Sequence, residues 1–261
     1  MQDAGPLDAG PPDAGFLPTH LGTRLVLWLD ADRGFDAGAS GAIWNDLSPA
    51  QNHATQSDSA RLPTWAAAGS AMGLPAHALV RFDATQFLTI ADHPSLQWSS
   101  GDFALYAVLL YTNPLAEWTI VYAKWTDTGP DFPGLMFFAN YPNTPATPTP
   151  FTGFVARVDT DRIASAVGPY NDGALRVVAV RRSANTLELR LNGTADAGPT
   201  NIAGFNTTGF DAVGRPVYLG GRPEGTQQFH GGIAEVIGIK GSLSSSEQQQ
   251  LEGYLRAKFG L

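Results

Sequence analysis

The sequence predicts an all-β fold: a two-sheet antiparallel sandwich with one short C-terminal helix. Three observations carry this. Short apolar runs recur roughly every 8 to 12 residues with turn signals between them. No strand-helix alternation appears, so a parallel sheet is not expected. The one helical pattern lies at the end of the chain, after Leu243.

Residues 2 to 15 repeat Asp-Ala-Gly three times between prolines. Proline stiffens this stretch, aspartate solvates it, and it has little apolar surface to bury. Residues 1–20 are expected to be a disordered tether, and 21–261 one sandwich domain. No signal peptide is visible. Met1 stands directly before the polar stretch, which reads like a chain whose leader has been removed.

Leu25-Val26-Leu27-Trp28-Leu29 reads as a strand, and Asn45 to Ser59 as loop. Leu79–Phe82 and Phe87–Ile90 read as two short paired strands. Phe103 to Tyr111 is apolar on both alternations, as a central strand covered on both faces should be. Trp118–Ala123, Leu135–Phe138 and Gly153–Val158 follow. Asn140 to Pro150 carries four prolines and is excluded from a sheet interior. Leu175–Arg182 and Thr186–Leu191 form the clearest hairpin, with Leu187, Leu189 and Leu191 alternating against Glu188 and Arg190. Asn192-Gly193 signals a tight turn. Val217–Leu219 and Ile233–Ile239 supply the last strands. Ser244 with Glu247 forms a capping box, Leu251, Tyr254 and Leu255 an apolar stripe, and Gly260 a C-cap.

The chain has 261 residues, net charge −8 and no cysteine. Its length suffices for a large core without staples. The missing thiols exclude disulfides, zinc-thiolate sites and cysteine nucleophiles. The acidic balance disfavours nucleic acid, which needs a basic patch. No apolar run reaches the ~18 residues of a transmembrane helix.

Four segments carry a resemblance. They are Trp44-Asn45-Asp46-Leu47-Ser48 with Asn52 and Ala54; Gly73-Leu74-Pro75-Ala76 leading to Arg81-Phe82-Asp83; Asp102-Phe103; and Gly232-Ile233-Ala234-Glu235-Val236. Together they resemble the laminin-G-like domains of the concanavalin A-like lectin and glucanase superfamily, a jelly roll common in exported bacterial proteins. The resemblance spans about Leu25 to Leu261. It implies a binding scaffold more often than a catalyst. One departure stands out: the family's Ser-Gly-x-Gly-Asn turn is Ser48-Pro49-Ala50-Gln51-Asn52 here. The tether resembles those of exported bacterial proteins and implies a secreted or outer-surface location.

The first functional reading is a non-catalytic carbohydrate- or cell-surface-binding module. Its partner would be a glycan or surface polymer. Sugar recognition uses aromatic platforms with a few polar groups. The ligand-binding candidates are Trp125, Tyr141 and Tyr170 in or beside Pro/Gly-rich loops, Arg222 at a strand end, and His230 before Gly231-Gly232. Calcium in a structural role is the candidate cofactor, with Asp159 and Asp161 on one side of an extended segment as ligands. The second reading is a self-assembling surface protein, with further copies of the chain as partner. The third is a polysaccharide lyase or glycoside hydrolase on the same fold. For a hydrolase the paired carboxylates are missing, since Glu235 is the single acidic residue of the last strand. For a lyase, Tyr106, Tyr122, Tyr218, His230 and Arg222 would have to converge. No catalytic residue is assigned.

Overall fold

The computed structural model describes residues 15–71, 73–83, 85–98, 101–112, 118–126, 134–140, 154–158, 161–164, 170–202 and 211–261. Among them the strands are β1 (Leu25–Asp30), β2 (Phe35–Gly38), β3 (Gly41–Trp44), β4 (Ala54–Gln56), β5 (Thr64–Ala66), β6 (Leu79–Phe82), β7 (Leu88–Ile90), β8 (Phe103–Tyr111) and β9 (Thr119–Trp125). There follow β10 (Gly134–Asn140), β11 (Val155–Val158), β12 (Asp161–Ala164), β13 (Arg176–Ser183), β14 (Thr186–Leu191), β15 (Thr194–Asn201), β16 (Val217–Leu219) and β17 (Gly231–Lys240). One helix, α1 (Ser245–Phe259), ends the chain.

The strands form two antiparallel sheets. The first is 8-stranded, in the order β15-β14-β13-β8-β17-β6-β5, with β1 also on β17. The second is 9-stranded, in the order β12-β11-β10-β9-β16-β7-β4-β3-β2. Leu27, Leu29, Leu105, Leu109, Val178 and Val180 of the first sheet meet Trp44, Leu88, Ile90, Tyr122, Phe137 and Leu219 of the second in the main core. On the outer face of the first sheet Trp28, Tyr106, Val108, Ile237 and Ile239 are buried with Leu251 and Leu255 of α1. Strand β8 is therefore covered on both faces, as its double alternation demands.

Two readings need correction. Leu79–Phe82 and Phe87–Ile90 do not pair: β6 lies in the first sheet on β17 and β5, and β7 in the second on β16 and β4. Both are too short to reveal a partner by periodicity. The loop from Asn45 to Ser59 contains β4, which takes Gln56 into the core despite the segment's polar composition. The polar segment after Asn192-Gly193, to which no element was assigned from the sequence, is strand β15, held by its register with β14 rather than by apolar content.

The Trp44-to-Asn52 segment owes its shape to one buried carboxylate. Asp46 accepts the main-chain N–H groups of Trp28 (2.7 Å), Ser48 (2.8 Å) and Asn52 (2.6 Å) and the Ser48 hydroxyl (2.7 Å). Asn52 Nδ2 donates to the Val26 carbonyl (2.7 Å) and Ser95 Oγ (2.8 Å). The turn keeps its left-handed step without glycine, because Gln51 adopts φ 53. At the other end, the Ser244–Glu247 capping box and the left-handed Gly260 bound α1 as its sequence requires.

Candidate binding face

The outer face of the second sheet carries an aromatic row. Strand alternation sends Trp125 outward from β9 and Tyr218 outward from β16. Their centroids lie 5.7 Å apart at a steep angle. Phe87, just before β7, continues the row 6.4 Å from Tyr218. Trp118 and Phe138 add a second edge-to-face pair at 5.0 Å, on the same face as Ile120 and Met136. Edge-to-face contacts at these separations are the favourable arrangement for quadrupolar rings.

A guanidinium covers each end of the row. Arg222 Cζ stands 4.7 Å over Trp125 and Arg61 Cζ 5.7 Å over Phe87. Arg61 also donates from Nη1 to the Pro223 carbonyl, next to Arg222. The connection from β16 to β17 therefore forms a strap tied to both ends of the row. Gln228, buried, holds the strap through Nε2 to the Arg222 (2.9 Å) and Thr226 (3.0 Å) carbonyls. Gly220 and Gly221 start it, with φ of 80 and 154. A Cβ on Gly220 would lie 2.1 Å from the Phe82 ring, so glycine is required on both counts.

Among the sequence candidates, the structure brings Trp125 and Arg222 together. Arg222 also pairs with the exposed Glu224 at 3.1 Å. Tyr170 belongs to another cluster, stacked on Phe154 at 5.5 Å, with Arg176 over its ring and its hydroxyl donating to Asp196 Oδ1 (3.2 Å). Burial, with Asp196 beside it, pushes its phenol above the ordinary range. His230 is half-buried and lies 3.0 Å from Asp83. Tyr141 and Asp159 lie outside the described residues, and Asp161 is described only as backbone opposite Val158 in β12. Among the described residues no group of three or more His, Cys, Asp or Glu could hold a metal ion.

The sequence reading missed Phe87 and Arg61, and named Tyr218 only as a lyase candidate. One signal was present for Tyr218: it alternates with Val217 and Leu219, both fully buried in the main core. The lyase candidates are spread over three layers. Tyr106 lies under α1, Tyr122 between the sheets against Trp98, and Tyr218 on the outer face of the second sheet.

Glu235 does have a carboxylate beside it, on a different strand. Asp30 is its register partner across β1 and β17. A bulge between Ile233 and Glu235 turns Glu235 onto the face under α1. There Glu235 accepts from Trp28 Nε1 (2.7 Å), Tyr254 Oη (3.1 Å) and Lys258 Nζ (2.8 Å). Asp30 takes Lys258 (2.9 Å) and Arg33 Nε (2.7 Å). Burial drives the Glu235 carboxyl above its ordinary range, with Asp30 adding to this and Lys258 opposing it. Burial depresses the Lys258 ammonium, but the two carboxylates outweigh it and leave it raised.

No family model matches the chain, and no curated protein matches it. Solved structures do. The binding domain of Paraclostridial Mosquitocidal Protein 1 matches with TM-score 0.58 and 12% identity, over 89% of this chain and 52% of that one. Trypanosoma rangeli sialidase, in a complex with 2,3-difluorosialic acid, matches with TM-score 0.58 and 16% identity, over 90% of this chain and 34% of that one. A structure described as showing that cell entry of botulinum neurotoxin type C depends on two ganglioside molecules matches with TM-score 0.53 and 11% identity, over 89% and 51%. The likeness is one of fold. The chain spans about half the length of the toxin chains and a third of the sialidase.

Proposed function

We propose that this chain is a non-catalytic carbohydrate- or cell-surface-binding module of laminin-G-like type, exported and held by its N-terminal segment. The observation that carries the reading is the Phe87–Tyr218–Trp125 row with Arg61 and Arg222 at its ends. Trp125 and Phe87 are each 6% exposed, so they fix the places of the half-buried Tyr218 ring, Arg61 and Arg222, which are what this face offers a sugar: one aromatic surface and two guanidinium donors at its margin. Two similar structures are described as a toxin binding domain and as a toxin that interacts with gangliosides, which supports a glycan as ligand. The non-catalytic reading is supported by the Asp30–Glu235 pair, whose oxygens are taken up by Lys258, Arg33, Trp28 and Tyr254 under α1.

A self-assembling surface protein is the second reading. Trp65 in edge strand β5 favours it, being 47% exposed.

The test is a glycan array on the full chain, in calcium and again in EDTA, with Tyr218→Ala and Arg222→Ala beside it. Binding that either substitution abolishes while the fold persists supports the face. Binding that survives both moves the site elsewhere. Silence on the array, with light scattering that rises with concentration and falls for Trp65→Ser, supports assembly instead.

A further inference from the structure

Lys124 has no part in the contacts of the aromatic row, yet its side chain is fully buried. It neighbours Trp125 in β9 but points the opposite way, on the side of its register partner Leu135 and the main core. A lysine so placed requires compensation. Its Nζ forms an ion pair with Asp92 Oδ1 at 2.8 Å and donates to the carbonyls of Asp211 (2.6 Å) and Ala212 (2.9 Å). Three oxygens thus surround the ammonium, two as hydrogen-bond acceptors and one as a counter-charge. The cage is tied together. Asp92 Oδ2 accepts the Gly214 amide at 2.6 Å, Ala212 adopts a left-handed φ of 39, and its carbonyl also accepts the Arg215 amide at 3.0 Å. A carboxylate with two main-chain carbonyls is the donor set of a hard cation.

We infer that Lys124 is the resident cation of this cage, a tethered ammonium standing where a metal ion would otherwise bind. Its place in the sheet gives it a purpose. Asp92 follows β7 and Lys124 lies in β9, the two neighbours of β16. The pair bridges them beneath the segment that enters β16, and so fixes where Tyr218 meets Trp125. Lys124 is a positioning residue, and at this loop it makes the organisation of the outer face independent of calcium.

The test uses the full chain, with thermal unfolding and hydrogen exchange at residues 211–216. Lys124→Met fills the space without the charge, and should speed exchange of the Arg215 amide by about tenfold or more. Lys124→Ala removes three carbons and the ammonium. Its Tm should rise saturably with n-propylammonium and not with n-propanol. EDTA and calcium should leave wild-type exchange at this loop unchanged. Wild-type exchange in Lys124→Met, equal rescue by propanol, or an EDTA effect on the wild-type loop would each overturn the inference. If neither variant folds, Asp92→Asn, at a partly exposed position, is the readout: faster Arg215 exchange supports the cage, and unchanged exchange refutes it.

Discussion

Replacing Lys258 by methionine tests how α1 is fastened. The substitution keeps most of the side chain's apolar length and removes the ammonium that lies 2.8 Å from Glu235 and 2.9 Å from Asp30. Glu235 and Asp30 are both 1% exposed and face each other in register. Breaking a buried pair from one side costs roughly 3–5 kcal/mol, because the charge left behind has no compensation. Two features favour the lower end: Arg33 still pairs with Asp30, and Trp28 and Tyr254 still donate to Glu235. We expect a loss of about 3 kcal/mol, or a Tm lower by roughly 10 °C at this chain length, read by urea unfolding with an unchanged m-value.

The pH dependence gives a second readout. Glu235 has a folded pKa above its unfolded value. The native state therefore binds that proton more tightly, and ionisation weakens the fold as pH rises between the two values. Without Lys258 the window extends upward, so the variant should recover stability relative to wild type as pH falls from neutrality. The raised Lys258 pKa acts at the other extreme. Its contribution is present below the unfolded lysine pKa and is lost as pH rises through the folded one. A Lys258→Met midpoint equal to wild type at pH 7, with no gain on acidification, would refute the reasoning.

Three further outcomes are expected. Asp46→Ala leaves the buried amides of Trp28, Ser48 and Asn52 without their acceptor; at ~1 kcal/mol each or more, the loss should be about 3 kcal/mol in chemical denaturation. Gln51→Gly relieves a left-handed φ of 53; a relief of ~1–2 kcal/mol offset by glycine's entropy should leave a gain of roughly 0.5–1 kcal/mol, visible as a higher Tm. Gly220→Ala places a Cβ 2.1 Å from Phe82 at a φ of 80; clash and strain together should cost roughly 3 kcal/mol, and circular dichroism on heating should show it.

Periodicity and capping chemistry are local, and what they imply is legible in the chain itself. The doubly apolar Phe103–Tyr111 run named a central strand, the Leu187-Leu189-Leu191 alternation fixed a hairpin register, and Ser244, Glu247 and Gly260 bounded the helix. Trp125 and Arg222 were recognisable as residue types suited to a ligand at strand ends. Their 4.7 Å contact was not, because it depends on a strap that folds back over the sheet. Phe87 and Arg61 escaped for the same reason: Tyr218 and Pro223, which join them to the row and the strap, are more than a hundred residues away in sequence. Only the tertiary structure paired β6 and β7 with different sheets. Only the bulge before Glu235, a one-residue change in count, aimed that carboxylate at Asp30 and α1. The sequence by itself determined the apolar strands such as β8 and β14 and where the helix begins and ends, since these follow from side-chain spacing, whereas the polar strands β4 and β15 carry no such pattern. Which strands neighbour one another, and which side chains share a face, depends on contacts distant in sequence, and packing decided them.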